Sequence, residues 1–144
     1  MLEFIFRLSP NAKIYYYDAS VGGIISENSL VDGITWMEKN GVKVINISLS
    51  SSKYSKKLEA KIKNFVEEGG VIVSSYNNRK SSFDYPAQYN EVIGVGTEDI
   101  VKQKEKDSVY KTSKILLKNK IYTGNSYLSV YEAVKVAKGG ENEK

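Results

Sequence analysis

The run Val71-Ile-Val-Ser-Ser-Tyr-Asn-Asn78 is β-branched in its first half, follows Gly69-Gly70, and turns polar in its second half. That pattern predicts a strand buried on both faces of a parallel sheet, with its carboxyl end near Asn78. Val42 to Leu49 is apolar on both faces except at Asn46, and Glu91 to Gly96 is a third run of the same kind. The aromatic-rich stretch from Ala12 to Asp18 adds a fourth, so strands are expected near 13–17, 43–48, 71–75 and 92–96. Between them the apolar period changes to that of a helix. Leu30, Ile34 and Met37 predict a helix capped by Ser26 or Asn28 and stopped at Gly41, and Leu58, Ile62, Phe65 and Val66 predict one over 54–68. Tyr127, Val130, Tyr131, Val134 and Ala137 predict a last helix, opened by Gly124-Asn125-Ser126 and ending near Lys138. Strand and helix thus alternate, and the expected fold is a three-layer α/β domain, a mostly parallel sheet with helices on both faces. Gly22-Gly23 reads as a flexible loop, 98–112 as a charged connection, and Ile115-Leu-Leu117 with Ile121-Tyr122 as a small hairpin. One domain over 1–138 and a flexible tail over 139–144 complete the expected organisation.

Composition narrows the chemistry. A chain of 144 residues is long enough for one domain with its own core. It has no cysteine, which excludes a disulfide framework, thiolate chemistry and Cys-ligated zinc, and no histidine, the usual base for a serine nucleophile and the commonest neutral metal ligand. The net charge of +4 is spread through mixed runs such as Lys102 to Asp107, without the basic, aromatic-interleaved stripe of a nucleic-acid reader, so no nucleic-acid partner is expected. No run approaches the roughly 20 apolar residues of a membrane span. Met1 to Leu8 is interrupted by Glu3 and Arg7 and is followed by no small-residue cleavage site, so the expectation is a chain that makes no membrane contact and is cytoplasmic. Gly94 and Gly96 lack the third glycine of a dinucleotide loop, and no cofactor or metal is expected. Asp18, alone at a strand end, reads as a turn former, and Asn46 is expected to bond nearby backbone or a turn.

In parallel α/β sheets ligands gather at the carboxyl ends of the strands, which directs attention to Asn78. Several tracts there resemble the subtilisin-like serine peptidases, the subtilases. Val44-Ile-Asn-Ile-Ser-Leu-Ser50 is similar to the family's Val-Ile-Asn-Met-Ser-Leu-Gly strand, and Val71 to Asn78 to the strand that ends in Ala-Gly-Asn. Tyr85-Pro-Ala87, Val92-Ile-Gly-Val-Gly96 and Leu8-Ser-Pro-Asn-Ala-Lys-Ile-Tyr15 also match, and Gly124-Asn-Ser-Tyr-Leu-Ser129 resembles the Gly-Thr-Ser-Met-Ala segment that presents the nucleophile. The resemblance implies a subtilisin-like fold, truncated on its N-terminal side, with Ser126 at the nucleophile and Asn78 at the oxyanion donor. It further implies that Ser48, Leu49 and Ser50 line the cleft and pair with a bound peptide, and that Ser75, Tyr76 and Asn77 form the wall of the specificity pocket. The family's Asp and His lie on segments before the strand that begins here near Ala12, and neither is found. Thr becomes Asn125, the helix Pro becomes Val130, and Tyr76 is bulkier than the small residue it replaces. The expectation is a domain inactive alone that takes a peptide or protein segment. The alternatives are half of a split serine endopeptidase completed by a partner chain, a homo-oligomer joined along an exposed strand edge, and a non-enzymatic interaction module.

Overall fold

The structure, a computed structural model, describes residues 1–79, 83–100 and 104–142. Along the chain come α1 (Leu2–Leu8), the hairpin strands β1 (Ser20–Val21) and β2 (Ile24–Ile25), α2 (Glu27–Lys39), β3 (Val44–Ile47) and α3 (Lys56–Glu67). Then follow β4 (Val71–Ser75), β5 (Ile93–Thr97), β6 (Ser108–Tyr110), a second hairpin of β7 (Lys114–Leu117) and β8 (Lys120–Thr123), and α4 (Asn125–Asn142). The main sheet has the order β3-β4-β5-β6 and is parallel throughout, with Val44 opposite Val71, Val73 opposite Ile93 and Val95 opposite Ser108.

Period-two alternation along these strands makes two cores. Ile45, Ile47 and Ile72 face one side, where Ile34 of α2 and Leu58, Ile62 and Phe65 of α3 cover them. Val73 and Val95 face the other side, against Leu128 and Ala133 of α4. The result is the three-layer α/β arrangement, and each fully buried aliphatic side chain in it contributes about 1.5–3 kcal/mol.

The helices start where their caps allow. Ser26 accepts from Ser29 N at 3.1 Å while Ser29 Oγ accepts from Ser26 N at 2.9 Å, and Ser55 Oγ accepts from Leu58 N at 3.1 Å at the head of α3. Such caps are worth about 1 kcal/mol each. At the end of α3, Gly69 takes φ +95°, a conformation costly for any residue with a Cβ, and Gly70 N then reaches Phe65 O at 3.0 Å.

Several elements differ from expectation. Residues 12–19 form no strand: Tyr15 and Tyr17 lie on Trp36 of α2, at ring separations of 6.1 and 5.7 Å, and Tyr17 packs over Gly33. The stretch is extended and aromatic as a strand would be, but its rings are held by a helix instead of a ladder. β6 arises inside the charged connection, because three residues suffice once β5 offers a partner edge. Gly22-Gly23 is the two-residue turn of the β1–β2 hairpin, not a flexible loop. Gly139 does not take the left-handed conformation that stops a helix, and α4 runs on to Asn142.

Candidate functional site

Backbone pairing persists past the end of β4, since Tyr76 N donates to Val95 O at 2.9 Å, and Ser74 Oγ ties β4 to β3 by donating to Ile47 O at 2.7 Å. Tyr76 is 1% exposed. Its ring fills the space left by the absent side chain of Gly94, where a Cβ would come within 2.5 Å of Tyr76 and 2.6 Å of Asp107 Oδ1. Its hydroxyl donates to the Asp107 carboxylate at 3.0 Å, and Lys104 Nζ pairs with the same carboxylate at 2.6 Å. Burial lowers the Lys104 pKa, and the Asp107 charge opposes that shift in part.

Beyond Tyr76 the chain turns out to solvent. Asn77 N donates to the buried Asp84 carboxylate at 2.6 Å, Asp84 N donates to Gln88 Oε1 at 2.9 Å, and Asn77 Oδ1 accepts from Arg79 N at 3.1 Å. This turn presents Asn78 to the amino end of α4. There Asn125 N donates to Asn78 Oδ1 at 2.8 Å, and Asn125 Nδ2 donates at 3.1 Å to each of the Tyr76 and Asn77 carbonyls. Asn125 is 2% exposed, and its bond to the Tyr76 carbonyl is buried while those to the exposed Asn77 and Asn78 are partly so.

Asn78 and Ser126 are therefore brought to one place, Ser126 being the next residue along α4 and half-buried. With its oxygen engaged by Asn125, the Asn78 carboxamide has Nδ2 left as donor, beside the positive end of the α4 dipole. Ser129 Oγ, one turn on, donates to Ser126 O at 3.0 Å.

The remaining candidates lie at the neighbouring strand end, because β3 and β4 are parallel and in register. Ser48 and Ser50 are exposed, Leu49 is half-buried against the core under α2 and α3, and Ser75 is buried. Ser51 exchanges two 2.8 Å backbone bonds with Tyr85, fixing the loop after β3 against the segment after β4. Asn46 Nδ2 donates to Ser48 Oγ at 2.8 Å, and its Oδ1 is buried without a hydrogen-bond partner among the described residues. Among those residues no group of three or more His, Cys, Asp or Glu could hold a metal, and no helix is long and apolar enough to cross a membrane.

Sequence reasoning missed Asn125 and Asp84 as organisers of this site. Asn125 stood out only as a departure from a Thr. Asp84 was hidden in a polar turn, with its position directly before Tyr85-Pro86 the one available signal.

A parallel four-stranded sheet with α2 and α3 on one face and α4 on the other defines a three-layer α/β fold. The subtilase family profile matches residues 3–140, and the chain belongs to that family. It is 32% identical over 97 residues to an alkaline protease of Alkalihalobacillus alcalophilus, covering 66% of this chain and 26% of that protein. It is 28% identical over 135 residues to a thermostable alkaline protease of Halalkalibacterium halodurans, covering 88% of this chain and 37% of that one. The matched part of the chain thus spans 26–37% of the length of these relatives. Among solved structures, a PatG macrocyclase in complex with peptide superposes with a TM-score of 0.59 at 16% identity, over 81% of this chain and 43% of the other, a likeness of fold.

Proposed function

We propose that Ser126 and Asn78 are the nucleophile and oxyanion-donor positions of a subtilase domain that does not cleave peptides as an isolated chain, and that its cleft takes an extended peptide. The supporting observation is the 2.8 Å bond from Asn125 N to Asn78 Oδ1, which holds the Asn78 carboxamide at the start of α4, where Ser126 is the next residue. The chain carries no histidine. A serine hydroxyl without a positioned base is a weak nucleophile, and loss of the base costs on the order of a millionfold in turnover, a figure measured in subtilisin itself. Ser48, Leu49 and Ser50 form one wall of the proposed cleft and Ser75, Tyr76 and Asn77 the other, of which Asn77 is exposed while Ser75 and Tyr76 are buried behind it. The peptide bound to the macrocyclase of similar fold agrees with a peptide ligand.

A second reading, completion by a partner chain that carries the Asp and His, is favoured by the open outer edge of β3, which has no ladder partner among the described residues. The purified chain should neither label with a fluorophosphonate probe nor cleave casein. Labelling of the isolated chain that disappears in Ser126→Ala overturns the inactive reading, and labelling that appears only on mixing with a second chain selects the split enzyme.

A further inference from the structure

The net positive charge of this protein falls within one stretch of its sequence. Between residues 108 and 138 the sequence has six lysines and a single glutamate, whereas the whole chain is only +4. That glutamate, Glu132, is engaged by Ser108 Oγ at 2.5 Å and Tyr110 OH at 2.8 Å, and its side chain is 14% exposed. Lys111 and Lys114 are exposed, and no carboxylate among the described residues lies within ion-pair distance of either. Both border a groove of about 510 Å³ between β6 and the β7–β8 hairpin, floored by Leu8, Leu117, Leu128 and Tyr131. Lys135 lies over the Tyr110 and Tyr131 rings at 6.0 and 5.5 Å and 3.9 Å from the Glu132 carboxylate, so that pair is locally neutral and leaves Lys111 and Lys114 as the cations of the groove.

The same groove adjoins an unfinished sheet. β6 is the last strand in the order β3-β4-β5-β6 and pairs only with β5 among the described residues, and Val109 at its centre is 43% exposed. An edge strand offers a row of backbone donors and acceptors, and an extended segment can add to it by main-chain bonding. In such a segment successive side chains point to opposite faces. Apolar residues at alternate positions would enter the groove, and acidic residues between them would meet Lys111 and Lys114.

We propose that this groove binds an extended acidic peptide strand that pairs with the outer edge of β6. The site is separate from the cleft assigned to Ser126 and does not depend on catalysis. The test is titration with a fluorescein-labelled, N-acetylated Glu-Leu-Glu-Leu-Glu-Leu amide, read by anisotropy and by ¹H–¹⁵N shifts. Binding should shift residues 108–117, weaken as salt is raised, and fall about tenfold or more in the Lys111→Glu/Lys114→Glu double variant, whose exposed positions spare the fold. The corresponding Lys-Leu peptide should not bind. Equal binding of the two peptides, shifts confined to the Asn78 and Ser126 end, or absence of peptide binding each overturns the proposal. Capture by phosphatidylserine vesicles without peptide binding would assign the face to a lipid surface instead.

Discussion

Asn125 makes three hydrogen bonds to residues that are 47 to 49 positions away in sequence, and it is the side chain on which the candidate site turns. Its two Nδ2 donations satisfy carbonyls at the end of β4, while its backbone N–H orients Asn78. Asn125→Ala keeps the backbone bond but leaves the buried Tyr76 carbonyl without that donor. The expected cost is about 1–3 kcal/mol, measured as a lower urea midpoint with unchanged slope. An unaltered midpoint would remove Asn125 from this role. Ser126 and Asn78 were legible because each sits inside a short motif. Asn125 was not, because its partners are backbone carbonyls that only the folded chain brings near.

At the level of elements, β3, β4 and β5 were readable because strands covered on both faces are continuous β-branched runs, as in Val71-Ile-Val73. β6 was unreadable: Ser108-Val-Tyr110 is too short to show a period and becomes a strand through β5. Residues 13–17 show the converse, a strand-like composition whose rings found Trp36. Helix α1 went unread because seven residues cannot be stable alone and must be held by packing. Its anchor is Phe4, fully buried with ring centroids 4.7 Å from Tyr122 and 5.1 Å from Tyr127. Phe4→Ala should therefore cost about 3–5 kcal/mol in global unfolding. If α1 instead detaches alone, helical circular dichroism will fall while the main transition stays in place.

On the scale of the whole molecule, the main sheet has two edges without further strands among the described residues, and they are not equivalent. β6 is followed at once by Lys111, and a charge beside an edge discourages pairing between copies. β3, Val-Ile-Asn-Ile, has no charge within it, and Asn46 Oδ1 lacks a partner among the described residues. Self-association is accordingly expected through β3, visible as concentration-dependent dimer in sedimentation velocity. A clean monomer at high concentration would count against an available β3 edge.

The packing of Tyr76 into the space over Gly94 also bears on how such a site can change over time. A Cβ at 94 and a tyrosine at 76 exclude each other, so the glycine had to be in place before the large ring could enter. Once the ring had entered and bonded Asp107, any return at position 94 alone was closed. Relatives with a bulky residue at the equivalent of 76 should therefore retain glycine at the equivalent of 94, and the Ala87 carbonyl, 2.7 Å from where a Cβ would stand, adds a second constraint on that position that does not depend on residue 76.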